Sequence, residues 1–418
     1  MASAAALASS GWQVELFESR PFLGGRATSY PLPSGDAAGE FIDNCQHILL
    51  RCCVNLLDFY ARMGVTDLIR FHREFNFLEP GGRRSTLSAG LLPAPLHFAG
   101  AFARLRFLNA ADKFAIARAM LAIRRERTRR ADLDRITMLD WLREKRQTAG
   151  AIGRFWRPVL VSAANEEPAR ISARYGFQVF WLGFLARPDS YEMGVPNVPL
   201  GELYGKFKQA AVHLRKPVER VVIQDRRAAG VTADGEIHNA DACILAVPFE
   251  RVAALAPELD LDLSLFEHAP ITGIHLWFDR RVTELPHAAL LDRTIQWFFD
   301  KGGGRYLQVV VSASRALVEM SRADVIALAL RELGEFLPAV REAQLEKAHV
   351  VKEARATFVA GPGLDAARPG PKTSIDRLFL AGDWTRTGWP ATMEGAVRSG
   401  YLAAEAASGV RFLLPDIS

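Results

Sequence analysis

An α/β fold, α+β overall, is what this sequence predicts, and three stretches predict it. The first is a helix, a glycine, a strand and an acidic residue in succession from Ala2 to Glu18. The second is Gly24-Gly25-Arg26, beginning six residues after Glu18. The third is a buried strand, then Gly382-Asp383, then a long Ala-rich helix near the C-terminus. Together they read as a Rossmann-like unit whose turns and helix N-termini face phosphate groups.

Ala2 to Ala8 has no basic residue before it and is too short for a signal peptide, so it reads as the end of a helix closed by Gly11. Trp12 to Phe17 then alternates as a half-buried strand ending on Glu18, the position at which such a unit places a carboxylate for ribose hydroxyls. An acidic residue after a strand is also common in solvated loops. The adjacent Gly24 and Gly25, which allow close approach of backbone to phosphate, and the bidentate donor Arg26 turn it into a pattern. No strand and no G-x-G-x-x-G turn precede Ala2, so the expectation is that the first strand and phosphate turn lie upstream of this sequence.

Composition bounds the rest. With 418 residues, 49% of them hydrophobic and 24% charged, the chain is of ordinary globular type, long enough for about two or three domains at roughly 150 residues each. Cys45, Cys52, Cys53 and Cys243 show no metal or redox spacing, so no metal is expected and a reducing cytoplasm fits. The net charge of +5 is unevenly placed: residues 101–130 hold nine basic and two acidic side chains, leaving the remainder slightly acidic. That argues against nucleic acid and for a local patch.

The 19 residues from Ser85 to Ala103 lack Asp, Glu, Lys and Arg, but only 11 are apolar, and Pro93 and Pro95 break them, so they do not read as a membrane span. Phe107, Ala110, Ala111, Phe114, Ala117 and Leu121 follow helical spacing into the Arg124–Arg130 segment, which fits either an interfacial helix on anionic lipid or an ordinary amphipathic helix. Helices follow at Ile136–Leu142 and through Arg154–Gly183, rich in Phe and Trp that could line a pocket or fill a core. Strands are predicted at Lys216–Gln224, Ala240–Pro248, Ile271–Phe278, Thr294–Phe299, Tyr306–Ser312 and Lys347–Phe358, with a helix at Arg322–Phe336. Arg377 to Ala381 is a strand, Gly382-Asp383 sits at its carboxyl end, and Pro390 to Val397 opens the last helix, a second place where N–H groups face an electron-rich ligand.

With these residues in view the chain resembles the FAD-dependent amine oxidase and phytoene desaturase superfamily, and within it the hydroxysqualene dehydroxylases. The stretches that carry the resemblance are Glu18 with Leu23–Ala27, Phe41–His47, Asn165–Pro168 with Ser172–Tyr175, His275–Arg280, and Leu378–Gly400. The resemblance implies FAD as cofactor. Glu18 would bind the adenosine ribose, Gly24, Gly25 and Arg26 would approach the pyrophosphate and ribityl chain, and Val218 would meet adenine. Gly382, Asp383, Thr392, Met393 and Gln46 complete the implied cofactor set around the ribityl chain and flavin ring. Cys45 stands where the family usually has glycine, which would strain the backbone by about 1 kcal/mol if φ were positive there.

The resemblance further implies a FAD-binding portion of 1–84, 205–268 and 355–418, interleaved with a substrate portion of 85–204 and 269–354 that is a mixed sheet with helices. The implied reaction removes the hydroxyl of hydroxysqualene, with carotenoid or squalene desaturation, amine oxidation, or a flavin-deficient lipid-binding homologue as alternatives. The reductive reaction needs a general acid near the flavin, for which Asp43 and His47 are the candidates and Glu394 or Glu167 the substitutes. The partners expected are a long apolar isoprenoid and the inner face of the cell membrane, held peripherally through Ser85–Arg130.

Overall fold

The computed structural model describes residues 1–32 and 40–418. Helix Ala2–Ser9 ends before Gly11, whose φ of +89° breaks the helical path, and strand Glu15–Glu18 follows. This helix packs on the C-terminal helix, Met393–Ser408, through small residues. At Gly400 a Cβ would lie 2.9 Å from both Ala2 Cβ and the Ser3 backbone nitrogen, so glycine is what lets the two helices meet. Outside the large sheet, two parallel strand pairs form among the described residues, Glu15–Glu18 with Ala211–Leu214 and Cys243–Leu245 with Leu378–Leu380. Among the described residues no strand joins the two pairs.

The largest element is a seven-stranded sheet, in the order 345–358, 268–278, 306–312, 297–300, 287–290, 75–78, 84–87. Hairpin Phe75–Leu87 therefore extends a sheet otherwise made from 268–358, although 75–84 falls within the portion that the resemblance gives to FAD. Strict alternation separates its two faces. Ile274, Leu276, Phe278, Val309 and Val311 point to helix Arg322–Phe336 and bury its Val325, Ala329 and Leu333. His275 and Trp277 stand on the other face, opposite Gln308 and Tyr306. Phe299 and Trp297 continue that face across the next strand.

Two helical segments whose sequence fitted either of two roles are resolved by the packing. Trp156 and Phe177 pack on Trp141 with ring distances of 6.3 and 4.7 Å, and Phe180 packs on Trp156 at 4.5 Å, so these buried aromatics fill the core. Helix Ala110–Glu126, started by a reciprocal Asn109/Asp112 cap, buries Ala115, Ile116, Ala119 and Ile123. The stripe read as its apolar face is outside: Phe114 is 71% and Leu121 51% exposed, while Phe107 is buried ahead of the helix.

Burial pushes His275 down to about 3 and His287 down to about 4. Both stay neutral in the fold, whereas the unfolded chain protonates them below about pH 6.5. Stability should therefore fall as pH drops from about 6.5 towards 4, each imidazole adding a slope of about 1.4 kcal/mol per pH unit. Urea unfolding at a series of pH values checks this, and His275→Gln should flatten the slope. Gly400→Leu should destabilise by about 1–3 kcal/mol through forced separation of the two helices, read as a lower urea midpoint.

Candidate active site

Glu18 ends its strand in register with Leu214, and its backbone carbonyl accepts the Lys216 N–H at 2.9 Å. That places Glu18 and the half-buried Val218 at the same end of the parallel pair. One carboxylate oxygen of Glu18 accepts from the Arg20 N–H at 2.8 Å and the Ser19 hydroxyl at 3.2 Å. Gly24 has φ of +109°, and a Cβ there would sit 2.3 Å from the Ala27 carbonyl oxygen, so only glycine makes this turn.

The second glycine turn lies beside the first. Gly382, with φ of +137°, donates its N–H to Ser399 Oγ at 2.8 Å. Asp383 accepts both of its close ion-pair contacts from one arm of Arg26, at 2.8 and 2.7 Å. The other arm of Arg26 donates to the Arg355 and Ala356 carbonyls. The two residues read as separate cofactor ligands thus bind each other. Thr392 caps the last helix by accepting the Gly395 N–H at 3.0 Å. Met393 turns its sulfur towards the Tyr204 and Tyr60 hydroxyls, 3.6 and 3.9 Å away, so its side chain anchors the helix and only its backbone is left for a ligand.

The Asp43–His47 loop is where the acid was sought, and its geometry corrects that reading. Asp43 is buried and accepts from Ser29 Oγ, the Leu200 N–H and Lys301 Nζ, at 2.8, 3.0 and 3.0 Å. Ringed by donors, it positions the loop. Lys301 also donates to Gln46 Oε1 at 3.3 Å. Half-buried His47 donates from Nδ1 to the Cys45 carbonyl at 2.9 Å, and burial lowers its pKa, so it is a neutral imidazole near pH 7 with Nε2 as an acceptor. Cys45 is not among the positive-φ residues, so it carries no left-handed strain, and burial pushes its thiol up to about 12. Glu394 accepts from the Asn55 and Leu56 N–H groups, capping helix Val54–Met63, and Glu167 pairs with Arg157; both carboxylates have structural partners.

Several site residues escaped the sequence reading. Fully buried Arg368 donates to the carbonyls of Asp383, Thr385 and Trp389 and so shapes the 383–389 loop. His275, Gln308, Trp277 and Tyr306 form the sheet wall that meets the Asp43–His47 loop, where Asn44 donates to Arg26 O and Glu353 Oε2. Their signal was the alternation His275-Leu276-Trp277-Phe278, but which face meets the loop is not written in it.

A family model described as flavin containing amine oxidoreductase matches residues 1–408. The probable zeta-carotene desaturase of Synechococcus elongatus is 27% identical, with 97% of this chain and 96% of that protein covered. The zeta-carotene desaturase of Zea mays is 26% identical, with 96% of this chain and 80% of that protein covered. Among solved structures, wild-type putrescine oxidase bound to putrescine gives a TM-score of 0.71 at 16% identity, covering 98% of this chain and 96% of that one. An oxidoreductase from Methanosarcina mazei gives 0.70 at 17%, covering 96% of each. At such identities the structures show the fold alone. The donor set here fits FAD: two glycine turns that side chains would fill, a carboxylate at the strand end, and a capped helix N-terminus. The chain belongs to the flavin-containing amine oxidoreductase family and is a flavin-dependent oxidoreductase that uses FAD.

Proposed function

We propose that the protein exchanges a hydride with an allylic carbon of a long, linear isoprenoid. The observation that carries this reading is the aromatic wall facing the Asp43–His47 loop, in which Trp277 stacks on Tyr306 at 4.3 Å and Trp297 on Phe299 at 5.8 Å. Such a wall excludes water and orients an apolar chain. An amine would find the buried carboxylate beside it, Asp43, already paired with Lys301. Bound FAD supplies two-electron hydride chemistry.

The similarity to carotene desaturases favours desaturation, which removes a hydride and a proton. Neutral His47, with Nε2 open, suits the proton acceptor of that step better than the acid of a reductive one. A second reading, replacement of the hydroxyl of hydroxysqualene by hydride with loss of water, is favoured by the unpaired polar atoms of His275 and Gln308 in the same wall.

We also propose a peripheral membrane surface. No helix among the described residues is long and apolar enough to cross a membrane. Leu91, Leu92, Leu96, Phe114 and Leu121 are all exposed, and Leu121 borders a groove with Arg124, Arg125 and Arg129. Arg127 lies over the Trp181 ring and Arg130 pairs with Asp132 and Glu144, so within residues 124–130 Arg124, Arg125 and Arg129 are the cations offered to anionic headgroups.

The holoenzyme, incubated anaerobically, should convert zeta-carotene with oxidised FAD or release squalene from hydroxysqualene with reduced FAD; oxidation of putrescine and of neither isoprenoid would overturn the reading. If desaturation is the reaction, His47→Ala should cut kcat by about 10²-fold with FAD content unchanged. Joint Arg124→Glu, Arg125→Glu and Arg129→Glu substitution should abolish sedimentation with anionic liposomes, and unchanged binding would remove this surface from the proposal.

A further inference from the structure

A six-residue helix, Leu200–Gly205, touches three separate parts of the cofactor site. Helices this short are marginal alone, so the place of this one is set by its partners. Its N-cap residue, Pro199, has no side-chain acceptor, and the caps come from outside: Asp43 Oδ1 accepts the Leu200 N–H at 3.0 Å and Ser29 Oγ accepts the Gly201 N–H at 2.9 Å. The start of the helix is thereby tied to the Asp43–His47 loop. Its far end carries Tyr204. The ring lies on the first glycine turn, where a Cβ at Gly24 would meet Tyr204 Cδ2 at 3.0 Å, and Leu23 and Ala27 join it in one apolar core. The hydroxyl, 3.0 Å from that of Tyr60 and 3.6 Å from the Met393 sulfur, reaches the N-terminus of the last helix.

Both tyrosines are buried in that core, where a hydroxyl without a partner costs about 1–3 kcal/mol and phenylalanine would fill the space without one. One order of donation satisfies both protons. Tyr60 donates to Tyr204, and Tyr204, the nearer of the two to the sulfur, donates to Met393 Sδ. Burial pushes the Tyr204 hydroxyl up to about 12, so it keeps its proton at neutral pH. A thioether is a weak acceptor, so this chain fixes where Met393 sits more than it adds to stability.

We propose that Tyr204 is a positioning residue for FAD: through the Gly24 turn, the Met393 sulfur and the Asp43 cap on its own helix, it holds the first glycine turn and the N-terminus of the last helix at one fixed separation, so that a single cofactor meets both. The N–H groups at that helix N-terminus favour negative charge on a ligand. Loosening the chain should therefore show twice, as faster loss of FAD and as a lower flavin potential. Neither effect depends on which substrate the protein takes.

The test is made on holoenzyme, by the rate at which flavin fluorescence recovers as FAD leaves on dilution and by the flavin's two-electron midpoint potential against indicator dyes. Tyr204→Phe should speed release about three- to tenfold and lower the potential. Tyr204→Leu, which also takes the ring off the Gly24 turn, should release FAD faster still. Met393→Leu removes the acceptor of the same hydrogen bond, so the Tyr204→Phe/Met393→Leu double variant should release FAD no faster than the faster single one. Tyr401→Phe is the control for a merely structural tyrosine: it lies in the same core and its hydroxyl donates to Asp58 at 2.6 Å, so its loss should lower the urea midpoint and leave FAD release and potential unchanged. Wild-type release and potential in Tyr204→Phe, additive effects of Tyr204→Phe and Met393→Leu, or an equal change in Tyr401→Phe would overturn the positioning role.

Discussion

The ion pair of Arg26 with Asp383 is the contact on which the site depends. It joins residues 357 positions apart, and the same guanidinium reaches the Arg355 and Ala356 carbonyls at the end of the long edge strand. One planar group thus ties the first glycine turn, the second glycine turn and the seven-stranded sheet together. Arginine suits this because its fork can bind a carboxylate with one arm and backbone oxygens with the other, which a lysine point charge cannot. With Asp383 half of that pair, and fully buried Arg368 holding its backbone carbonyl, the loop leading to the last helix has little freedom. Cofactor turns have to be preorganised if binding is not to be spent on ordering them.

A second constraint is where charge is allowed. Asp43 is buried with Lys301 as counter-ion and two further donors, so the loop beside the wall is held by charge yet presents little net charge. The imidazoles of His47 and His275 are kept neutral by burial. A site of aromatic rings and neutral imidazoles excludes water and stray protons, which would divert two-electron flavin chemistry. The outer surface at 91–129 is the opposite case, with exposed leucines and phenylalanine beside unpaired arginines.

Much of this was legible in the residue order. Gly24-Gly25, Gly382-Asp383 and the helix capped by Thr392 were readable because glycine, an acidic residue and a capping hydroxyl each have one dominant local reason to be where they are. The strands at Tyr306–Ser312 and the helix at Arg322–Phe336 followed from periodicity alone. Local pattern failed where two faces compete. The 110–126 helix has small residues nearly all round, so its sequence left open whether the stripe of Phe114 and Leu121 faces in or out; the packing of Ile116 and Ile123 puts that stripe outside. Phe75–Leu78 and His287–Leu290 were missed because strands of four residues carry too little alternation to be seen.

By itself, then, the sequence determined the α/β class and the two glycine turns, since those depend on residues a few positions apart. Only the tertiary structure decided what the residues do to one another. It joined Arg26 and Asp383, read as two ligands, into one clamp, tied Asp43 to Lys301, Ser29 and Leu200, and engaged His47 Nδ1 with the Cys45 carbonyl. The reason is that protonation and hydrogen-bond partners are set by burial and by neighbours hundreds of residues away, and neither is encoded in local spacing.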